Sequence, residues 1–400
     1  MHFLQRHTAL IKLAVSALLM AAAGQVSDAQ ELVMPERWTK PLTYVRPLFN
    51  QDTLTIRVLG DVMMHTNQIT EARKSGGEYD FSSYFSLIED RIKDADLAVA
   101  NMEFTLAGEP YTGYPCFSAP DSFADYLADC GFDIFLAANN HIFDKGGKGA
   151  QRTIDIYRQL AEERGIMFTG LAADEDELSR NNPLIIRTKG IKLAILNFTY
   201  GTNVGSGTHW PKTNYLTARS QAGCALSKAE EEDADFTVVF PHWGSEYMLK
   251  HSARQEEAAR WLIGNGADII IGAHPHVIQD FQIIGTEDAG GSKEVPVAYS
   301  LGNAVSNMSA RNTQLELMAT IKIVRHGNGD IEALPIEFTY LWCSRPGGYN
   351  GSYAVIPVAD FIGRRDEWQG MWEYDKMIDT YIYVKEQTGI EDKNIININE

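Results

Sequence analysis

The stretch IIIGAHPHVIQ, Ile269 to Gln279, places two histidines one residue apart directly after an apolar run. The run predicts a buried strand. Pro275 disfavours helical backbone at His274, so we expect the strand to stop at Gly272 and the chain to bend. At such a bend His274 and His276 can both face one site and offer nitrogen donors to two adjacent metal ions. Alone, the pair would also fit two surface histidines in a turn.

The same order of apolar run, polar cluster and helical stretch recurs along the chain. Polar residues end or follow seven runs: LTIRVLGD, DLAVANME, FDIFLAANNH, LAILNFTY, FTVVFPHWGSE, ADIIIGAHPH and VPVAYSLGN. Helical patterns lie between several of them, at Phe81–Ile92, Ser122–Cys130, Gly149–Glu163 and Ser252–Gly264. This alternation predicts an α/β fold with much parallel sheet. Ligand sites of such sheets lie beyond the carboxyl ends of the strands, where these polar residues are.

The end of the chain has a different pattern. Leu315–Arg325 and Ile331–Trp342 predict antiparallel strands around the turn HGNGD. A domain over residues 50–345 is therefore expected, followed by a partly helical appendage over residues 346–400. One helix, or two short ones, is predicted within Arg364–Glu386.

The first 29 residues have the layout of a secretory signal peptide. Basic residues come first, the apolar run Leu13–Gly24 follows, and small residues at Ser27–Ala29 offer a cleavage position. The run is shorter than the roughly 20 residues of a membrane-spanning helix. We expect export to the periplasm or cell surface. An uncleaved membrane anchor is the alternative.

The composition is that of a globular protein, with 44% hydrophobic and 22% charged residues. The net charge of −18 becomes −19 without the signal segment, which holds Arg6, Lys12 and Asp28. An acidic chain of this kind is not expected to bind nucleic acid. The four cysteines are irregularly spaced, so a cysteine zinc site is not expected. Export would permit a disulfide, for example between Cys116 and Cys130.

Carboxylates, amides and imidazoles are collected at the predicted strand ends, and divalent transition metals accept this mixture of ligands. The candidate metal ligands are Asp61, Glu103, Asn140, His242, His274 and His276. His242 could instead be a buried histidine that donates to a backbone carbonyl, and Asn139 and Asn140 could cap the next helix.

His141 follows Asn140 directly and is the candidate general acid, with Asp144 orienting it. A further group of polar and aromatic residues near these motifs is predicted to contact substrate: His65, Asn101, Trp243, Glu246 and Asn303. Neither a G-x-S-x-G motif nor a cysteine in a nucleophile-like setting is present, which argues against a serine or cysteine hydrolase.

The order Asp, Glu, Asn-His, His, His-x-His resembles that of the calcineurin-like metallophosphoesterase superfamily. More closely, the chain resembles the bacterial capsule-synthesis CapA family, which is associated with poly-γ-glutamate. The stretches that carry the resemblance span roughly residues 55 to 305: GDVMM, NMEFTL, NNHIFDKG, HWGSEY, GAHPHVIQ and YSLGN.

The resemblance implies a four-layer αββα sandwich of two mixed sheets flanked by helices. It implies one or two ions of Mn, Fe or Zn. Asp61 and His276 would bind the first metal, Asn140 and His274 the second, and Glu103 would bridge them, with His141 as proton donor. The sequence departs from the superfamily at Met63, where a ligand histidine is usual, and at Glu103, where aspartate is usual. His65 is the nearest substitute for the missing histidine.

Two functions follow from the resemblance. The first is a metal-dependent hydrolase that acts on an anionic envelope polymer, such as poly-γ-glutamate, or on its precursor. The second is a non-catalytic accessory protein that binds the polymer in a metal-containing cleft. In either case capsule-synthesis membrane proteins are possible partners.

Overall fold

The computed structural model describes residues 52–205, 207, 209–288 and 291–393. The described residues 52–325 and 329–393 belong to one compact unit. The expected signal peptide lies outside the described residues. Within those residues, no helix has the length and apolar character needed to cross a bilayer.

Strands and helices alternate over most of the described chain. The strands are β1 (Asp52–Val62), β2 (Leu97–Met102), β3 (Ile134–Leu136), β4 (Met167–Thr169), β5 (Leu171–Ala172), β6 (Leu184–Thr188), β7 (Ile191–Thr199), β8 (Lys212–Thr213), β9 (Phe236–His242), β10 (Ile269–Ile271), β11 (Phe281–Asp288), β12 (Gly291–Ala298), β13 (Asn303–Val305), β14 (Leu315–Arg325), β15 (Ile331–Ala333), β16 (Glu337–Ser344) and β17 (Ala354–Pro357). The helices are α1 (Thr66–Ala72), α2 (Glu89–Lys93), α3 (Asp121–Asp129), α4 (Gly146–Arg164), α5 (Glu175–Asn181), α6 (Arg219–Glu231), α7 (Ala253–Gly264), α8 (Val358–Phe361) and α9 (Met371–Thr388).

Two mixed sheets hold most of these strands. In the described residues the first sheet has the order β17-β16-β14-β1-β2-β3-β4, with β13 pairing to β1 and β15 to β14. The second has the order β11-β12-β10-β9-β7-β6. The neighbours β1, β2, β3 and β4 run parallel, and so do β7, β9, β10 and β12. The expected α/β fold with much parallel sheet is confirmed.

Alternate residues of each strand face different apolar cores, which produces four layers. On β2, Leu97 and Val99 face the core between the two sheets, whereas Ala98 and Ala100 face the core under α3 and α4. On the second sheet, alternating β7 residues face either the shared core or a third core under α6 and α7. Helices therefore cover both outer faces of a sheet-on-sheet sandwich, as expected.

Three of the four predicted helices are confirmed, as α3, α4 and α7. The bounds of α3 and α7 differ from the expected ones by no more than about two residues, and those of α4 by no more than three. The prediction for Phe81–Ile92 is wrong over most of its length, because turns precede the short helix α2. Its apolar side chains, including Phe81, Tyr84 and Phe85, still enter the core. Burial alone therefore produced the helix-like pattern.

The C-terminal region is part of the sandwich. The strand predicted over Leu315–Arg325 is confirmed as β14, but Ile331–Trp342 is divided into β15 and β16, with Pro335 between them. Proline has no N–H to donate to a neighbouring strand. The expected appendage adds the edge strand β17 and the helix α9, whose Met377 and Val384 enter the core between the sheets. All four cysteines are free.

Gly60 lies where β1 approaches the loop before β13 too closely for a side chain. A Cβ atom at Gly60 would lie 2.0 Å from the carbonyl oxygen of Gly302. We expect Gly60→Ala to lower the free energy of unfolding by about 3 kcal/mol, the upper end for overpacking. Urea unfolding measures this change. Gly264→Ala, where nothing lies within 4 Å of the new atom, is the control and should not destabilise the protein. Equal unfolding midpoints for Gly60→Ala and wild type would contradict the prediction.

Candidate metal centre

The carboxyl ends of parallel strands from both sheets meet at one place. Asp61 lies near the end of β1, and Glu103 and Asn140 follow β2 and β3 in the first sheet. His242 ends β9 and His274 follows β10 in the second sheet. Five chain segments that are distant in sequence thus bring their polar side chains together.

The chain bends at the His-x-His motif as its sequence predicts. β10 ends at Ile271, and His274 and His276 have φ angles of +98° and +59°. Non-glycine residues in this region cost roughly 1–3 kcal/mol each, and they concentrate at functional sites. Both rings are buried at 2–3% exposure, and their centroids are 5.7 Å apart. The bend therefore holds both imidazoles inside the site.

Two groups of possible metal ligands share Glu103. The first donor group is Asp61, Glu103 and His276, and the second donor group is Glu103, His242 and His274. In each group the ligand atoms lie within 4.8 Å of one another. The side-chain oxygen of Asn140 lies 2.9 Å from Nε2 of His242, so it adds a neutral oxygen beside the second group. The arrangement has the layout of two neighbouring ion sites joined by one carboxylate.

Unpaired buried atoms indicate that these residues fit metal ions. Both carboxylate oxygens of Glu103 and Nδ1 of His274 are buried without a hydrogen-bond partner. A buried polar group without a partner costs about 1–3 kcal/mol, and a charged one costs more. A cation bound to each donor group would satisfy all three atoms. The mixture of imidazole and carboxylate suits Mn, Fe or Zn.

The electrostatics of the two donor groups differ. Burial lowers the pKa of His276, but the carboxylates of Glu103 and Asp61 outweigh burial and raise this pKa to about 9. Burial raises the pKa of Asp61, but the hydrogen bond from His276 and the charges of His242 and His276 bring it below its usual value. Burial, His242 and His276 hold the pKa of His274 well below its usual range. His274 is therefore a neutral donor, whereas His276 carries a proton that a metal must displace.

Metal binding should therefore release a proton. We expect the apparent metal affinity to rise about tenfold per pH unit up to pH 9, because neutral His276 is the ligand. Isothermal titration in two buffers of different ionisation enthalpy measures the released protons. In the metal-free protein, protonated His276 stabilises the fold. This contribution is complete below pH 6.5 and is lost as the pH rises through 9. Binding near pH 7 without proton release would contradict the prediction.

Two asparagines that are predicted to contact substrate hold metal ligands in place. Asn101 donates to Oδ1 of Asp61 at 2.6 Å, and Asn303 contacts Nδ1 of His276 at 2.9 Å. Both asparagines are almost fully buried. Their side chains are directed at Asp61 and His276 from within the protein, and substrate contact by either asparagine stays a prediction. Such contacts fix the orientation of metal ligands.

Trp243 and His65, which are also predicted to contact substrate, both have partners within the protein. Trp243 is buried and donates from Nε1 to the carbonyl of Tyr299, and it lines a cavity beside the metal centre. His65 contacts Gln68, precedes α1 and belongs to neither donor group. Burial lowers the pKa of His65 to about 4, so the ring is neutral. The structure does not use His65 in place of the histidine expected at Met63.

His141 and Asp144 form a buried pair beside the donor groups. Nδ1 of His141 lies 2.8 Å from Oδ2 of Asp144, which also accepts from the backbone N–H of Phe117. Phe117 packs edge-on against the His141 ring. Asn139 accepts from the N–H of His141 and does not cap α4. The pair is therefore held in one orientation.

Exposed residues surround the opening of the site. Glu246 is exposed and lies within ligand distance of His274 and His276, so it can contact either a metal or a substrate. Three exposed tyrosines that were not predicted from the sequence have rings within 6.5 Å of site histidines: Tyr114 near His141, Tyr200 near His274 and Tyr247 near His276. Tyr200 ends the strand run LAILNFTY and Tyr247 ends the motif HWGSEY, so their position at a strand end or in a motif was the available signal.

Residues 55–308 match the model of the family described as bacterial capsule synthesis protein PGA_cap. The chain belongs to this family. The matched residues contain both donor groups, His141 and Asp144. The fold and the donor groups described above are therefore those of a capsule synthesis family member.

Two curated relatives carry capsule-related names. The capsule biosynthesis protein CapA of Bacillus anthracis is 26% identical over 318 residues, which are 76% of this chain and 73% of the relative. The PGA biosynthesis protein CapA of Bacillus subtilis (strain 168) is 25% identical over 300 residues, covering 72% of this chain and 73% of the relative.

Among solved structures, the NAD nucleotidase NadN of Haemophilus influenzae is similar at a TM-score of 0.44 and 13% identity, over 87% of this chain and 65% of the other. A 5'-nucleotidase precursor from Thermus thermophilus is similar at a TM-score of 0.43 and 13% identity, over 84% of this chain and 59% of the other.

Proposed function

We propose that this protein is an exported, metal-dependent hydrolase that cleaves an ester or amide bond in an anionic envelope polymer, such as poly-γ-glutamate, or in its precursor. One observation carries the proposal. The buried Glu103 carboxylate is shared by two donor groups, and both of its oxygens are without a hydrogen-bond partner. A binding protein would not need two adjacent cation positions beside an oriented histidine.

Each donor group would hold one ion. Asp61, Glu103 and His276 would bind the first, and Glu103, His242, His274 and Asn140 the second. Divalent ions at these positions supply positive charge that polarises a phosphoryl or carbonyl oxygen. Asn101 and Asn303 keep Asp61 and His276 in their ligand orientations.

His141 provides the proton for the leaving group. Asp144 holds Nδ1, so Nε2 is the nitrogen that would donate to a substrate, and Nδ2 of Asn203 lies 3.4 Å from it. The neighbouring Asn140 lies beside the second donor group, which brings His141 beside the bond that this group would polarise. A general acid placed in this way contributes roughly 100- to 10,000-fold to the rate.

The relatives suggest the class of substrate. Their names concern capsule and PGA biosynthesis. A polymer of γ-linked glutamate carries one carboxylate per residue, and an anionic chain needs cationic groups to enter a protein of net charge −18. Metal ions would supply part of that charge. An envelope polymer also agrees with the proposed export.

A hydrolysis screen tests the proposal. Protein reconstituted with Mn, Fe or Zn is assayed with bis-p-nitrophenyl phosphate, γ-glutamyl-p-nitroanilide and poly-γ-glutamate. We expect metal-dependent turnover of at least one substrate, its loss in the His274→Ala/His276→Ala variant, and its retention in His209→Ala, whose histidine is exposed. If the protein binds two ions but cleaves none of the three substrates, the result would favour the accessory function.

A further inference from the structure

A cavity of about 490 Å³ lies beside the metal centre, between the beginnings of α6 and α7. Its lining includes Tyr200, Thr217, Arg219, Trp243, Arg254 and Glu257. We call it the arginine cavity. It is large enough for a small polar group, and neither donor group lies in its lining.

The arginine cavity has a net positive lining in an acidic protein. Arg219 and Arg254 contribute two positive charges, and Glu257 contributes one negative charge. Arg219 is half-buried and Arg254 is exposed, and among the described residues neither forms an ion pair or a side-chain hydrogen bond. The guanidinium of Arg219 lies 4.4 Å from the ring centre of Trp261, and its Nη1 is buried without a hydrogen-bond partner.

Nη1 of Arg219 is unpaired where water is excluded, which is costly, and an anionic oxygen would remove that cost. Arginine presents its N–H groups as a fork that fits carboxylate or phosphate. The beginnings of α6 and α7 add the positive ends of two helix dipoles to the same cavity. Arg260, further along α7, is different because it already binds Glu256 at 2.8 Å.

The arginine cavity adjoins the metal centre through shared residues. Tyr200 lines the cavity, and its ring centre lies 4.7 Å from that of His274 in the second donor group. Trp243 and Gly244, which also line it, directly follow His242. A chain bound at the metals can therefore continue past Tyr200 into the cavity.

We propose that the arginine cavity binds a carboxylate on the substrate residue next to the one held at the metal centre. The proposal rests on the proposed function for its substrate, a chain with a carboxylate on every residue. Arg219 and Arg254 bind the carboxylate, and Tyr200 separates it from the reacting bond. The cavity thereby makes the protein selective for a polyanion over a neutral ester or amide.

Binding of tetra-γ-glutamate to the full chain, with and without Zn, tests the arginine cavity. We expect Arg219→Gln/Arg254→Gln to weaken binding by about 10- to 100-fold, because charge-assisted hydrogen bonds are lost. Arg260→Gln removes a positive charge from an arginine that is already paired with Glu256. The affinity of this variant for the tetramer should stay within about twofold of the wild-type affinity. A tetramer with amidated side chains should bind weakly to all three proteins. Equal affinity of wild type and the double variant would overturn the proposal.

Hydrolysis separates this proposal from the proposed function. If wild type cleaves poly-γ-glutamate, the double variant should show a raised KM and an unchanged metal content. Cleavage with an unchanged KM would overturn the cavity proposal alone. An absence of cleavage, together with weaker tetramer binding in the double variant, would overturn the hydrolase and support the cavity. Tripolyphosphate serves as competitor in the metal-free protein, where no cation holds it at the metal centre. If it binds more tightly than the tetramer there, the assignment to carboxylate is overturned.

Discussion

We expect Glu103→Gln to leave the protein folded but unable to hold two metal ions. The carboxylate of Glu103 is common to both donor groups, so one substitution removes a ligand from each. An amide has the same shape but no negative charge and only one acceptor oxygen. The affinity for both ions should fall by at least about 100-fold. This is a larger loss than is usual when a residue that only hydrogen-bonds to a metal ligand is substituted.

Elemental analysis after dialysis, beside a metal titration, measures this loss. Glu230→Gln removes an exposed carboxylate from α6 and is the charge-matched control. The melting temperature of metal-free Glu103→Gln should stay within a few degrees of metal-free wild type, because no core packing changes. Two ions retained at wild-type affinity would exclude Glu103 as the shared ligand.

The second large effect is expected for His141→Asn. The variant should retain both metals and lose roughly 100- to 10,000-fold in kcat, the usual contribution of a general acid. The loss should depend on the leaving group. An alkyl phosphodiester or a γ-glutamyl amide needs a proton on departure, whereas p-nitrophenolate leaves without one.

Paired substrates therefore give a sharp test of the role of His141. The rate deficit of His141→Asn should be large for the alkyl substrate and small for the p-nitrophenyl substrate. Asp144→Asn should show the same trend with a smaller deficit, because His141 remains but loses the carboxylate at its Nδ1. An equal deficit for both leaving groups would contradict proton donation by His141.

The sequence predicts the strands that carry the site well, because the residues that end a strand are close to it in sequence. The apolar run before His274 and the proline after it predict both the strand and the bend, and the structure has both. The parallel arrangement then follows from alternation of strands and helices. It brings residues as distant in sequence as Asp61 and His276 within ligand distance.

Depth within the site could not be predicted in the same way. Asn101 and Asn303 follow the same strand-end pattern as the ligands, yet both lie beneath Asp61 and His276. Their depth depends on how closely the two sheets pack, which no local pattern contains. Tyr114 is the opposite case, since it lies outside every predicted strand and still reaches the site opening.

The arginine cavity shows the same limit. Arg219 begins α6 and Arg254 is the second residue of α7, positions where a basic residue has no special meaning in the sequence. Only the packing of α6 and α7 on the second sheet brings them to one cavity.

Anomalous diffraction from crystals of metal-reconstituted protein tests the two-metal centre most directly. We predict two anomalous peaks about 3.5–4 Å apart, as in two-metal hydrolytic sites. One should lie among Asp61, Glu103 and His276, and the other among Glu103, His242 and His274, with Glu103 bound to both. A single peak, or none at these residues after reconstitution with Mn, Fe and Zn, would contradict the two-metal account.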